Sequence, residues 1–77
     1  MEQLIISKEN YNKNLGDAIR SLRLERGMSQ ETFAETIGMT RTYVGSIERG
    51  EKNISVYYLY RILAIIQIPI GEFLDKI

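Results

Sequence analysis

Stop and start signals for helices alternate along this chain, and they limit its fold more than any other feature. Gly27 comes two residues before Ser29, and Gly38 comes two residues before Thr40. Glycine readily takes the left-handed conformation that ends a helix, and a serine or threonine side chain caps the first free N–H groups of the next one. A chain punctuated in this way is expected to fold as short helices joined by tight turns.

Apolar residues between these signals recur every three or four positions, which is the period of an amphipathic helix. Ser55 follows a polar loop at residues 49–53 and caps a fourth helix, and Pro69 suits the first turn of a fifth. The residues expected to face the core are Leu15, Ala18, Ile19, Leu22, Phe33, Ala34, Ile37, Val44, Ile47, Val56, Leu59, Ile62, Leu63, Ile66 and Phe73. We therefore predict an all-α fold with five helices and no strand, forming a single domain over residues 1–77.

The N-terminal segment, residues 1–12, is interpreted as an arm or as an extension of the first helix. That helix is expected over residues 15–26, and three polar residues are candidates for its cap, namely Ser7, Asn12 and Asn14. The apolar run Leu4 to Ile6 would pack on the body or on a partner. It lacks the basic flank and the small-residue cleavage site of a secretory signal.

The composition argues against several classes of function. Without cysteine or histidine, disulfides and the common zinc sites are excluded, and an acid–base or nucleophilic site would lack its usual residues. No run of about eighteen apolar residues is present that could span a membrane. We therefore expect a cytoplasmic protein that is not an enzyme and that uses no metal, cofactor or small-molecule ligand.

Bulk charge does not indicate a nucleic-acid partner. Ten Lys and Arg residues balance ten Asp and Glu residues, and six cations face five anions between residues 20 and 52. Nucleic-acid-binding domains usually carry a basic excess. Any case for DNA binding must therefore rest on the positions of individual side chains.

Residues 29–48 have the pattern of two short helices joined by a tight turn. Ala34 is small where the first of these helices must cross the second, and Gly38 can adopt a positive φ at the turn. Apolar residues at helical spacing would fix both helices to the core. This is what a helix-turn-helix requires, namely a rigid pair whose second member stays exposed.

The exposed face of that second helix carries side chains suited to reading bases. Apart from the residues of this helix that face the core, the side chains left for the exposed face are those of Thr40, Arg41, Thr42 and, one turn further, Ser46. Arginine can donate two parallel hydrogen bonds to guanine, and threonine and serine can bond base edges. A face selected for solubility alone would more often carry Glu, Lys and Gln. Glu48 could hold Arg41 or Arg49 in place through an ion pair.

A second set of polar residues surrounds this helix and is suited to the DNA backbone. Gln30 lies in the first turn of the preceding helix, where free N–H groups favour phosphate. The other candidates for backbone contacts are Tyr43, Arg49, Lys52, Asn53 and Arg23. Simpler alternatives remain, which are helix-start chemistry for Gln30, an ordinary polar loop for residues 49–53 and full solvation for Arg23.

Residues 13–74 resemble the lambda-repressor-like family of helix-turn-helix regulators, also called the Xre or Cro type. The run RGMSQE at residues 26–31 matches the family's entry to the second helix, and SIERG at residues 46–50 matches the end of its recognition helix. Ala34 and Gly38 match its turn. The resemblance implies a five-helix DNA-binding domain that regulates transcription.

A narrower resemblance links the chain to the controller proteins of restriction–modification systems. It is carried by RTYV at residues 41–44 together with IERG at 47–50 and NIS at 53–55. The resemblance implies a dimer in which Arg41, Thr42 and Ser46 read bases and Tyr43 lies at the backbone or at the edge of the groove. Gly45 stands where those proteins usually have serine, and Lys52 where they often have arginine. Because it has no side chain, Gly45 would let the helix approach DNA closely.

The last two helices, residues 55–77, carry more apolar surface than one small core can absorb. The residues left over are Tyr57, Tyr58, Ile65, Ile70, Leu74 and Ile77. Exposed apolar patches usually mark an association surface, and a two-fold dimer would read two half-sites of an operator. The sequence therefore predicts a homodimer on a pseudo-palindromic site in double-stranded DNA, unless these residues simply enlarge the core.

Two other readings of the chain stay open at this point. A phage or plasmid repressor would share the same pattern. A protein-interaction module such as an antitoxin would keep the fold and the apolar surface but lose the features of the recognition helix, which are intact here.

Overall fold

The structure, a computed structural model, describes residues 7–77, and these residues form five helices without a strand. The helices are α1 (Lys8–Glu25), α2 (Gln30–Ile37), α3 (Arg41–Glu48), α4 (Val56–Ile65) and α5 (Ile70–Leu74). The predicted all-α fold with five helices is confirmed over this range. None of these described helices is both long and apolar enough to cross a membrane.

Hydroxyl side chains cap the first four helices. The N–H of Tyr43 donates to Oγ1 of Thr40 at 3.1 Å, and the same geometry recurs at Ser29 and Ser55. Helix α1 is capped by Ser7, whose Oγ accepts from the N–H of Asn10. The helix therefore starts earlier than residue 15, and Asn12 and Asn14 lie inside it. The expectation for Leu4 to Ile6 falls outside the described residues.

The end of α4 shows how a helix stops without glycine. Gln67 takes a positive φ of 63°, and the following N–H, that of Ile68, donates to the carbonyl of Leu63 at 2.9 Å. This pattern closes the last turn in the way that a glycine usually does. The guanidinium of Arg26 also donates to the carbonyl of Ile66 at 3.0 Å, which ties the end of α1 to the end of α4.

The core is formed by one apolar side of each helix. Except for two residues, every side chain predicted to face inward is buried, and Ile54 in the loop before α4 joins them. Ala18 is only half-buried against the cluster. The prediction for Val56 is wrong, because this residue is 67% exposed. It lies in the first turn of α4, and the first residue that this helix buries in the core is Leu59, one turn later.

Helices α1 and α3 pack closely at Gly16. A Cβ atom at this position would overlap the carbonyl oxygen of Ile47 and would lie only 2.8 Å from that of Glu48. The absence of a side chain at Gly16 therefore lets α1 contact the backbone at the C-terminal end of α3. This contact fixes how far α3 stands from the body.

Candidate nucleic-acid interface

The turn between α2 and α3 is built as the sequence predicted. Gly38 has a left-handed φ of 73°, and the N–H of Met39 donates to the carbonyl of Ala34 at 2.8 Å. Ala34, Phe33 and Val44 are buried where the two helices meet. Because both helices are locked to the core, α3 is a rigid platform whose outer face is available to a partner.

The outer face of α3 presents the four predicted base-reading residues. Arg41 and Thr42 are exposed in the first turn, and Thr40 is exposed while its hydroxyl oxygen caps the helix. Ser46 is half-buried, and its hydroxyl donates to the carbonyl of Thr42 at 3.0 Å. Thr40, Arg41 and Thr42 therefore lie together at the N-terminal end of the helix. Ser46 lies one turn further along, next to Thr42, and keeps its oxygen lone pairs as acceptors.

A buried ion pair supports this helix from behind. Arg23 of α1 donates from Nε to Oε2 of Glu48 at 2.6 Å and from Nη2 to Oε1 at 3.0 Å. Its Nη1 donates to the carbonyl of Met28 at 2.9 Å. Gln30 at the start of α2 donates from Nε2 to Oε1 of Glu48 at 3.1 Å. One carboxylate thus joins α1 and α2 to the last turn of α3.

The pair controls the ionisation of both partners. Burial by itself raises the pKa of Glu48, but the hydrogen bonds from Arg23 and Gln30 and the charge of Arg23 outweigh it and hold this pKa below its ordinary value. The hydrogen bond to Glu48 raises the pKa of Arg23. Both groups are therefore charged at neutral pH, and each offsets the cost of burying the other.

This network corrects two expectations. Arg23 was a candidate for a phosphate contact, but it is buried and its guanidinium is occupied. Glu48 was expected to pair with Arg41 or Arg49, yet it faces inward to Arg23. The side-chain amide of Gln30 also donates to Glu48, but the predicted phosphate contact at the first turn of α2 depends on backbone N–H groups and stays a prediction.

The sequence does carry a signal for the buried pair. Arg23 lies four residues after Ile19, and Glu48 lies four residues after Val44, so each charge continues an apolar stripe that faces the core. Two opposite charges on inward stripes of different helices need each other, because an isolated buried charge is costly.

Gly45 does not leave the surface of α3 open to DNA, because the side chain of Arg49 covers it. A Cβ atom on Gly45 would lie 3.0 Å from Nη1 of Arg49 and 3.7 Å from Oε1 of Gln30. The guanidinium of Arg49 also forms two hydrogen bonds to Glu51, from Nε at 2.9 Å and from Nη2 at 3.1 Å. Arg49 therefore lies back along α3 instead of extending from the loop.

Tyr43 connects the recognition helix with α4 and with the loop that follows α3. Its half-buried ring lies beside Tyr58 in a shallow hollow, and Nζ of Lys52 lies 5.7 Å from the ring centroid. Burial, and next the neighbouring Tyr58, raise the pKa of Tyr43, so its hydroxyl remains a proton donor at neutral pH. Asn53 is exposed in the same loop.

Most of the apolar residues predicted for an interface are exposed on α4 and α5. Tyr57, Tyr58, Ile65 and Leu74 all have 45% or more of their surface exposed. Tyr58 and Ile65 line a shallow groove between α4 and the turn at Gly38. Ile70 and Ile77 do not belong to this set, because they are half-buried and pack against the core cluster where α5 folds back.

A family model described as helix-turn-helix matches residues 19–73. The chain belongs to the helix-turn-helix family. The match spans the end of α1, the α2–α3 pair, α4 and most of α5, so it includes every residue assigned to the candidate nucleic-acid interface.

Proteins of this family with known roles resemble the chain over most of their length. The control protein C.MunI of Mycoplasma sp is 40% identical over 63 residues, which is 80% of this chain and 85% of that protein. The structure of the restriction-modification controller protein C.AhdI from Aeromonas hydrophila is 34% identical with a TM-score of 0.75, covering 83% of this chain and 97% of that one. A tetramer of the controller C.Esp1396I in complex with its natural 35 base-pair operator is 30% identical with a TM-score of 0.74, covering 83% and 84%.

Proposed function

We propose that this protein is a sequence-specific DNA-binding transcriptional regulator that acts as a homodimer and controls a restriction–modification operon. The observation that carries the proposal is the first turn of α3, where Thr40, Arg41 and Thr42 stand exposed on a helix pair locked to the core. Helix-turn-helix proteins read the major groove with this part of the recognition helix. As a regulator of an operon, the protein would act in the cytoplasm, where the DNA lies.

Base reading is assigned to Arg41, Thr42, Ser46 and Thr40. Arg41 carries a planar fork that fits guanine O6 and N7, and its side chain is exposed in the first turn. Thr42 offers a hydroxyl and a methyl group to adjacent bases. Ser46 is the shortest contact and acts as an acceptor, because its proton is used within the helix.

Backbone contacts are assigned to residues around the edge of α3. Lys52, Arg49 and Asn53 are exposed at the end of the helix and in the loop after it, and the half-buried Tyr43 keeps its hydroxyl protonated at neutral pH. Gln30 stays in this set through the N-terminal turn of α2, whose free N–H groups favour a phosphate. Arg23 is excluded because its guanidinium is buried.

Dimerisation is assigned to the exposed apolar residues of α4 and α5, namely Tyr57, Tyr58, Ile65 and Leu74. A two-fold dimer places two copies of α3 on successive major grooves, about one turn of DNA apart. The similarity to C.AhdI and C.MunI supports the assignment to restriction–modification control. The operator complex of C.Esp1396I supports double-stranded DNA as the partner.

Selection from a pool of random-sequence duplexes tests the proposal directly. We expect the purified protein to enrich an inverted repeat whose half-sites lie about one helical turn apart. The Arg41→Ala variant should enrich it much less than the wild-type protein does. If the wild-type protein enriched no sequence over the starting pool at low salt, the proposed function would be wrong, and binding to a partner protein would replace it.

A further inference from the structure

Arg49, Gly45 and Arg41 are spaced four residues apart and lie along one side of α3. Helical side chains point back toward the N-terminus, so the Arg49 side chain runs over Gly45 toward the turn that holds Arg41. We call the space left by the missing side chain the Gly45 notch. It is bounded by Nη1 of Arg49 and Oε1 of Gln30. Any side chain at position 45 would compete with the guanidinium for this space.

Glu51 occupies two of the three donor directions of that guanidinium. Its two carboxylate oxygens accept from Nε and Nη2 in the parallel arrangement that arginine also forms with a phosphate. Both side chains are more than half exposed, at 59% and 57%, so the pair is open to solvent and to a competing anion. Among the residues that the structure describes, Nη1 has no hydrogen-bond acceptor.

We propose that Glu51 acts as an internal substitute for a DNA phosphate and holds Arg49 in the Gly45 notch until a backbone phosphate replaces it. The inference rests on the proposed function and adds two positioning residues, Gly45 and Glu51, to the contacts assigned above. The pair keeps Arg49 ordered before binding, but its carboxylate must leave the guanidinium when DNA arrives. Glu51 therefore lowers the affinity for every duplex, and it does so through Arg49.

A double-mutant cycle on DNA separates this mechanism from a general charge effect. We expect E51Q to strengthen binding to the selected operator and to a scrambled duplex equally, by roughly two- to five-fold, the range expected for an exposed pair. In an R49A background, E51Q should change neither affinity. If the gain persisted in that background, Glu51 would act only as a nearby negative charge, and the inference would be overturned.

E31Q is the matched control for this cycle. Glu31 lies in the first turn of α2, and E31Q removes one negative charge, as E51Q does. Among the described residues, Glu31 forms no ion pair. Its effect on affinity should be the same in the wild-type and R49A backgrounds. If the effect of E31Q on DNA affinity depended on Arg49 as strongly as that of E51Q, the coupling would not be specific to Glu51. This result would also overturn the inference.

The notch itself is tested by G45A. The added methyl group would stand 3.0 Å from Nη1 of Arg49 and would push the guanidinium aside by a few tenths of an ångström, although alanine favours the helix more than glycine does. We expect both duplexes to bind to G45A more weakly than to the wild type but less weakly than to R49A, and we expect R49A to cause a smaller loss in the G45A background than in the wild type. Additive losses would overturn the role of Gly45, and chemical denaturation of G45A would check that the fold is retained.

A measurement without DNA distinguishes failure of this inference from failure of the proposed function. Hydrogen bonds from Arg49 hold the pKa of Glu51 below its ordinary value. Titration of the Glu51 carboxyl by nuclear magnetic resonance should show this depressed pKa in the wild type, a return toward the ordinary value in R49A and a smaller return in G45A. A pKa of Glu51 that is unchanged in R49A would overturn the pair even if the protein binds its operator. A depressed pKa in a protein that binds no duplex would instead refute the proposed function, and with it the role of Glu51 on DNA, while the pair itself would stand.

Discussion

Arg23 and Glu48 lie twenty-five residues apart in sequence and form a two-hydrogen-bond ion pair in the interior, with Nε 2.6 Å from Oε2 and Nη2 3.0 Å from Oε1. The pair joins the end of α1 to the last turn of α3. Gln30, at the start of α2, donates a hydrogen bond to the same carboxylate. The orientation of the recognition helix therefore depends on a polar contact as well as on apolar packing.

Removing one member of this pair should destabilise the protein strongly. For Arg23→Met or Glu48→Leu alone we expect a loss of about 3–5 kcal/mol in the free energy of unfolding, because the remaining charge is buried without a partner. Replacing both residues together, as Arg23→Met with Glu48→Leu, should cost much less than the sum of the single changes. Urea unfolding of the four proteins measures this coupling, and additive losses would contradict it.

The same pair should make stability depend on pH. The pKa of Glu48 is lower in the folded protein than its ordinary value of 4.5, so its contribution is complete above 4.5 and is lost as the pH falls through the folded value. The Glu48→Gln variant lacks this titrating carboxyl group. The difference in unfolding free energy between wild type and Glu48→Gln should therefore be largest at neutral pH and shrink below 4.5, and a constant difference across this range would refute the prediction.

Gly16→Ala should be destabilising although alanine favours helices. The new methyl group would meet the backbone carbonyl oxygens of Ile47 and Glu48, and backbone atoms cannot move aside without shifting α3 against α1. Gly71→Ala in α5 is the control, because no atom lies within 4 Å of the added Cβ there. We expect the control to be neutral or more stable by up to about 1 kcal/mol, and equal effects of the two changes would contradict the close packing.

Alanine substitutions of Arg41 and Lys52 should weaken DNA binding in different ways. Arg41→Ala should weaken the selected operator by about 1–3 kcal/mol more than a scrambled duplex, because a two-hydrogen-bond contact to guanine is lost. Lys52→Ala should weaken both duplexes equally and reduce the salt slope of log K by about one unit. Titrations at several salt concentrations measure both effects, and a parallel loss on the two duplexes for Arg41→Ala would remove it from base reading.

Ile65→Lys should convert a dimer into monomers without unfolding the protein. Ile65 is 47% exposed and lies with Tyr58 along the groove beside the turn, so a charge there disrupts an apolar interface but not the core. Val56→Lys introduces the same charge at a residue that is 67% exposed on a different side of α4. Sedimentation velocity at tens of micromolar should show monomer for Ile65→Lys and dimer for Val56→Lys. A wild-type protein that is monomeric under these conditions would refute the assignment of the interface.

Local signals in the sequence were sufficient for the helices. The caps at Ser29, Thr40 and Ser55 and the stop at Gly38 were predicted and confirmed, because a cap or a left-handed turn depends on a few neighbouring residues. The end of α4 is different, since Gln67 takes a left-handed φ that glycine usually provides. The contact from Arg26 to Ile66, which no local pattern contains, helps to hold this end.

The sequence by itself determined the number and limits of most helices, the core side of each and the exposed face of α3, because helical period and capping are local properties. Tertiary structure alone decided the partners of the charged residues. Arg23, Glu48 and Arg49 were assigned by spacing along the chain, yet Glu48 turned inward to Arg23 and Arg49 lay back over Gly45. An ion pair forms between groups that meet in space, and the packing of α1 on α3 at Gly16 determines which groups meet.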